Sequence, residues 1–534
     1  MDGKKPILLA AVIVLVTLAF YLPAVDAGFV FDDEHFLTAN PLIKAGDGLR
    51  RFWFTTEAED YFPLTSTSLW LEWRLWDKDP AGYHVVNMLL HAASAVLVWR
   101  ALKRLNAPGA WLAGLIFGVH PVNAASVAWI AERKNTLAMA LYLASLLAWM
   151  SAECRMQSAE CRMESGSGFA RMMRPVDSAL CTLHSAFCTP YYVLSLGLFL
   201  LALLAKTSVM MLPLVLLGCA WWQRGRVTRK DALRALPFFA LAGALAAIEL
   251  WFHSHHALTH VAARPEGFFS RAAAAGWAVC FYLYKAVLPW NLAMVYPRWN
   301  VDPRAVTAWL PDLVLLAGLA LAWRYRRSWG RPLLFAAGYF IASLLPVLGF
   351  ADISFMKYSL VADPWQYAAI VGVIALAAAA GVRAWERLSP TPQKQVIIGL
   401  VILVGALGVL TWQRCDVFEN DEHLWRDTLK KNPRCCVAQV NYGKALVMDA
   451  GSQRDLLIAQ AKLRQAVSYF QAAVRLEPHE PESHENLANV FFALGEYGPA
   501  VEQYREVLKV RNDAAIRDRL NEALARQGKS PEAD

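Results

Sequence analysis

Six consecutive residues, Phe31-Asp32-Asp33-Glu34-His35-Phe36, put three acids and a histidine directly after an apolar run. Acids at a membrane surface are costly unless they stay hydrated, bind a cation or do acid–base work. A carboxylate in that place can take the proton of an incoming hydroxyl. The plain alternative is a solvated acid run that orients nothing. Three further groups carry chemistry-capable side chains: His120 followed by Glu132-Arg133-Lys134, the lone Lys206 between two apolar runs, and Lys357 with Asp363. A lysine at the tip of a helix hairpin can snorkel or hold a lipid phosphate as a point charge. Each of these groups also reads as ordinary solvated loop charge.

Other candidates are weaker. His84 and His91 are seven residues apart and share one helix face, which suits packed or hydrogen-bonded core residues. His253, His255, His256 and His260 have irregular spacing and read as a plain surface loop rather than a metal tract. Cys154, Cys161, Cys181 and Cys188 do not have zinc spacing, and no disulfide framework is expected. A Walker loop, a Gly-rich dinucleotide fingerprint, His-Glu-x-x-His and Gly-x-Ser-x-Gly are all missing, which argues against a cytosolic nucleotide-using enzyme.

The elements that must position these residues are apolar helices. The chain is 57% hydrophobic over 534 residues, with a mean hydropathy of +0.32; soluble domains sit near ~45–50%. Candidate spans are 7–24, 85–102, 110–123, 135–150, 190–205, 208–222, 234–252, 309–323, 333–350, 366–382 and 395–412, eleven in all. The first, preceded by Lys4 and Lys5, reads as a retained span rather than a cleaved leader. The +8 formal charge fits basic cytoplasmic loops better than a nucleic-acid surface. Alternating from an inner N-terminus places Arg100, Lys103, Arg104 and the cluster Arg324, Arg326, Arg327, Arg331 inside. This holds only if 271–288 is a re-entrant or surface-lying helix within an outer loop. Every chemistry-capable group named in the first paragraph then falls on one outer face, a result the sidedness argument did not use as input. The segment 151–189 repeats Ser-Ala-Glu-Cys-Arg-Met and then turns Ser/Gly-rich; it reads as a flexible insertion.

Residues 413–534 are polar and helix-forming. Leu487, Ala488, Phe491, Ala500 and Tyr504 fit the 34-residue tetratricopeptide (TPR) template. Ala466, Phe470, Ala473 and Pro478 repeat the second half upstream, with Gly443 and Leu446 on its first helix and eleven residues inserted near 450–460. The expected fold class is therefore all-α: a polytopic membrane domain over 1–412 and an outer-side α-solenoid of TPR repeats over 413–534, acting as an interaction module.

Several stretches resemble a known family: Phe31-Asp32-Asp33 with Asn40-Pro41, the run from His120 to Lys134, Ala205-Lys206-Thr207 with Pro213, Leu288-Pro-Trp-Asn-Leu292 and Asp363-Pro-Trp-Gln-Tyr367. In their order, with TPRs behind them, the chain resembles the transmembrane and TPR-containing O-mannosyltransferases, and more loosely the protein O-mannosyltransferases of the GT-C fold. It departs from their pattern at Thr207, Ala124/Ala125 and Pro364. The resemblance implies inverting transfer of a hexose, mannose by family, from a polyprenyl-phosphate sugar to Ser/Thr hydroxyls, without a metal or other cofactor. It implies Asp32 as general base and Asp33 as its orienter. Arg133, Lys206 and Lys357 would hold the donor phosphate, with His35, His120, Glu132 and Asp363 as further substrate contacts. The TPRs would present acceptor proteins on the periplasmic side of a bacterial inner membrane. Competing readings are a transferase acting on a lipid or glycan and a non-catalytic envelope scaffold.

Overall fold

The computed structural model describes residues 4–165, 190–257, 264 and 266–530. Side chains of 157–165 are not described, so Cys161 falls outside the description together with Cys181, Cys188 and His260. The described residues form an all-helical protein with no strand. They divide into two compact units, one of 4–292 with 299–416, the other of 293–298 with 417–530.

In the first unit seven helices are long and apolar enough to cross a membrane: Lys4–Asp26, Pro80–Arg104, Ile130–Met156, Arg229–His255, Val306–Arg324, Gly330–Val347 and Pro390–Asp416. An eighth results if Ala110–Gly118 and Pro121–Ala128, bent by 48° to each other, form one broken span. Pro190–Ala205 and Ile370–Trp385 are shorter apolar helices. Ten of the eleven expected segments fall on these helices; the other, 208–222, falls on the Thr207–Met211 turn and the 13-residue helix Leu212–Arg224.

The break at His120-Pro121 has a physical cause. Proline cannot donate to the carbonyl four residues back, so carbonyls at the end of the preceding helix lose their partners. In a span these must be satisfied by other groups. Asn123 Nδ2 donates to Phe117 O at 2.9 Å, His91 Nε2 lies 3.1 Å from Gly118 O, and Thr411 Oγ1 donates to Val119 O at 2.8 Å. His91 is thereby a hydrogen-bonded core residue, and its Nδ1 meets the Tyr367 hydroxyl at 2.7 Å.

One expectation is corrected. The flexible insertion read from 151 onward begins as helix: Arg133–Ser165 continues through both Ser-Ala-Glu-Cys-Arg-Met copies. Ala, Glu, Arg, Met and Gln are good helix formers, and no glycine interrupts them before Gly166. Glu153 on this extension binds Arg224 at 3.0 Å and Arg234 at 2.9 Å, tying three helices together at one end.

Phe268–Val287 is the helix whose crossing was in question. It has 20 residues, so it is about 30 Å long, and a spanning helix of that length would touch opposite ends of the bundle. Its partners are spread along its length, and it is not among the helices long and apolar enough to cross. Arg271 pairs with Asp352 at 2.9 Å, Trp277 Nε1 donates to Ala308 O at 3.1 Å, and Ala286 O meets His120 Nε2 at 3.1 Å. Ser354 N donates to His253 Nε2 at 3.2 Å, so the chain returns to the same end after Phe268–Val287 and two further apolar helices. If Val306–Arg324 and Gly330–Val347 both cross, an even number of crossings lies between them only when Phe268–Val287 does not.

The second unit is a succession of helices, each packed on the next: Asp421–Lys431, Cys436–Ser452, Leu456–Leu476, Pro481–Ala493, Tyr497–Val510 and Ala514–Arg526. Ala466, Phe470, Ala473, Leu487, Ala488, Phe491, Ala500 and Tyr504 are all buried. Gly443 is needed by close approach, since a Cβ there would lie 2.7 Å from the Phe470 ring. Cys436–Ser452 and Leu456–Leu476 have 17 and 21 residues where the next pair has 13 and 14. The eleven extra residues therefore lengthen both helices rather than forming a loop.

The non-crossing arrangement is open to cysteine labelling from outside. Probes at His255→Cys and Asn300→Cys are expected to react with an impermeant thiol reagent and Ser328→Cys is not; labelling at 328 would mean that Phe268–Val287 crosses.

Candidate functional site

The acidic motif forms a tight turn after the first helix. Phe31 has φ 49°, a conformation uncommon for a bulky residue. Asp33 holds it there. Asp33 is 1% exposed; its Oδ2 accepts from Val30 N at 2.9 Å and its Oδ1 from Ala131 N at 2.6 Å. Asp33 thus ties its own turn to the start of the Ile130–Lys134 turn, and Asp32 is the acid of the pair left for the site. Asp32 is half-buried. Desolvation raises its carboxyl to about 6, against the downward pull of Lys134, while Glu132 adds to the rise.

The Ile130–Lys134 turn splits its charges. Glu132 lies 3.8 Å from Lys134 and 3.4 Å from Lys206. Arg133 points the other way and is 0% exposed. Its guanidinium binds Glu72 closely, Ser68 Oγ at 2.7 Å, Asn87 Oδ1 at 2.5 Å and Tyr83 O at 2.9 Å. The expected phosphate-holding role of Arg133 is therefore corrected: its donors are taken by the protein. A buried charge needs such partners, and Arg133 supplies the tie between the Pro63–Trp76 helix and the turn. Lys134, the next residue, is the base that shares the field of Asp32.

Two residues overlooked in the sequence, Asp60 and Glu249, complete the cluster together with His253, read there as plain surface loop. Asp60, Glu249 and His253 have their ligand-capable atoms within 4.8 Å of one another, a set able to hold a metal ion. His253 Nε2 already accepts from Ser354 N, which leaves the proton on Nδ1, 3.7 Å from Asp60. Glu249 accepts from Tyr61 N at 3.3 Å. As arranged, His253 and Glu249 each accept from a backbone amide, of Ser354 and Tyr61, and His253 Nδ1 faces the Asp60 carboxylate. Burial alone would raise Asp60, but the His253 hydrogen bond and the fields of Lys134, His253 and Lys206 hold it below its ordinary value. His253 is thus part of the cluster, not a plain surface-loop residue, while His255 stacks on Trp251 at 4.5 Å. The signal was available: Glu249 is an acid inside an apolar span, which by itself suggests function.

The remaining expected residues scatter. Glu132 and Lys206 join Asp32. His35 pairs with Glu59 at 2.9 Å, and that hydrogen bond raises its pKa. His120 is buried in the broken span, where its Nδ1 accepts from Val122 N at 3.4 Å. Asp363 is buried at the start of the Asp363–Gln366 turn. Lys357 ends the Ser354–Lys357 turn, which touches His253 through Ser354, and its Nζ lies 5.6 Å from the Tyr358 ring.

No protein-family model matches the chain. It is 30% identical over 152 residues to Protein O-mannosyl-transferase F38B6.6 of Caenorhabditis elegans. It is 33% identical over 145 residues to Protein O-mannosyl-transferase TMTC2 of Mus musculus, and 30% identical over 148 residues to Protein O-mannosyl-transferase TMTC3 of Homo sapiens. The match takes in about a quarter of this chain and spans 22%, 17% and 16% of these relatives' lengths. Relatives of this name belong to the family that the sequence motifs resemble.

The Arg133–Glu72 tie makes a stability claim. Removing one partner of a buried ion pair leaves the other uncompensated, at a cost of about 3–5 kcal/mol. Glu72→Ala is expected to lower the thermal midpoint of the detergent-solubilised protein by that measure, and Lys134→Ala far less. Equal midpoints for Glu72→Ala and wild type would show that the pair does not hold the turn.

Proposed function

We propose that the chain is a membrane glycosyltransferase that moves a hexose, mannose by the names of its relatives, from a polyprenyl-phosphate-linked sugar to Ser/Thr hydroxyls. The acceptors are proteins on the outer, periplasmic face of a bacterial inner membrane. The helices of the second unit act as TPR repeats that present them. The observation that carries the reading is Asp32: a carboxyl raised to about 6 and set beside Lys134 at one end of an apolar helical bundle. A base with that value is mostly ionised at neutral pH yet still basic enough to accept a proton usefully.

In the proposed step the acceptor hydroxyl oxygen bonds to C1 of the sugar while its proton passes to Asp32. The bond from C1 to the phosphate oxygen breaks, and the phosphate leaves with the electron pair. Inversion follows from attack opposite the leaving group. Charge grows on the departing phosphate, so cations near it stabilise the transition state. Lys206 and Lys357, with Lys134 in place of Arg133, are assigned that role. Glu132 holds Lys206 and Lys134 in place before the donor arrives.

Transfer of labelled sugar from polyprenyl-phosphate to a Ser/Thr peptide tests the assignment. Asp32→Asn is expected to lower the rate by about 10²–10⁴-fold with donor binding kept. Lys206→Ala is expected to raise the KM for the donor with the base intact. Near wild-type turnover in Asp32→Asn would remove Asp32 from the mechanism.

A further inference from the structure

Two basic turns lie at the end of the first unit away from the candidate site. Arg229–Phe252 has 24 residues, so it is about 36 Å long, and Glu249 of the candidate site sits in its last turn. At its other end the turn Gly225–Thr228 joins it to Leu212–Arg224. The second turn, Tyr325–Trp329, joins Val306–Arg324 to Gly330–Val347, both long and apolar enough to cross a membrane. Where two such helices cross, the short turn between them lies at a membrane surface. The two turns adjoin. Arg331 Nη2 donates to Trp221 O at 3.1 Å and to Trp222 O, carbonyls that the end of Leu212–Arg224 leaves without helical partners. Beside it the Trp222 and Phe335 rings stack at 5.2 Å.

The charge at these turns is of one sign. Residues 221–230 and 323–331 contain no acid. Glu153 and Asp231 pack at this end, but Arg224 and Arg234 already bind them. Arg226, Arg229, Arg324, Arg326 and Arg327 are all exposed. The side chains of Arg226, Arg229 and Arg327 have no hydrogen bond or ion pair among the described residues. Arg324 lies 5.7 Å from the Tyr325 ring, and Arg326 4.7 Å from the Trp323 ring. Trp323, Tyr325 and Trp329 are themselves exposed.

Trp and Tyr in the open beside arginine suit the membrane–water interface, where such rings sit at headgroup depth. A guanidinium pairs with phosphate through two donors at once. A second copy of the chain would set this basic surface against its own like charge. A free anion would meet the arginines and make no use of the rings. A lipid with a charged phosphodiester supplies both partners.

We propose that the two turns form a binding site for an anionic phospholipid of the leaflet away from the candidate site. The phosphate lies among Arg226, Arg229, Arg326 and Arg327, and the exposed rings lie at the headgroup boundary. Basic surfaces between membrane helices hold acidic headgroups in this way. The site does not depend on the transfer reading.

The test uses the full-length protein in detergent and native mass spectrometry, with phosphatidylglycerol and phosphatidylcholine offered in equal amounts. Preferential retention of phosphatidylglycerol, weakening as salt is added, is expected. Arg226→Gln with Arg327→Gln is expected to weaken it on the order of fivefold per charge removed, with an unchanged thermal midpoint in lipid-free detergent. Arg454→Gln with Arg475→Gln, which removes the same charge from exposed positions of the second unit, is expected to leave retention as in wild type. Glycerol phosphate is expected to displace the lipid no better than chloride of the same ionic strength. Equal retention of the two lipids, unchanged binding in the first variant, or an equal loss in the second would overturn the proposal. Displacement by glycerol phosphate would also overturn it and mark a site for free anions instead.

Discussion

The buried pair between Arg133 and Glu72 fixes the end of the first unit where the candidate site lies. Arg133 is fully enclosed, and its donors reach a carboxylate, a hydroxyl, an amide and a backbone carbonyl on two other helices. Isolated charge in such a place would be untenable, so the Ile130–Lys134 turn is held where those partners are. Two residues before it, Ala131 N is held by Asp33. Between these anchors the turn has little freedom, and Glu132 and Lys134 face the other way into the ion cluster.

The same device appears twice. In Asp32-Asp33 the second acid is spent on backbone amides and the first is left for the site. In Arg133-Lys134 the first base is spent on Glu72 and the second is left. Adjacent like charges thus divide into one that positions the turn and one that faces the cluster. The cluster of Asp32, Glu132, Lys134 and Lys206 with Asp60 and His253 lies in a partly desolvated setting where charges interact more strongly than in water. Desolvation there raises Asp32, and nearby cations keep Asp60 low.

Much of this was legible from residues alone. Apolar runs marked the helices, and counting basic residues by side brought Asp32, Glu132 and Lys206 to one face before any contact was known. The all-helical class followed from the same periodicity. Arg133 was misread because a charge next to two working charges gives no sign of which way it points; that depends on Glu72, sixty-one residues away. Asp60 was invisible, and His253 was misread as surface loop, because composition does not report what a segment packs against. The helix through 151–165 was hidden by reading tandem repetition as flexibility, when the repeated residues are helix formers. Phe31 gave no signal of its left-handed backbone, since only the closure made by Asp33 selects it.

The central claim is that Asp32, raised by its surroundings, takes the acceptor proton. The most direct measurement is kcat/KM for sugar transfer as a function of pH. A base must be ionised to act, so the rate is expected to fall as pH drops through about 6, following the ionisation of a single carboxylate. A limb near ~4, the ordinary carboxylate value, or a profile flat through 6, would contradict the account.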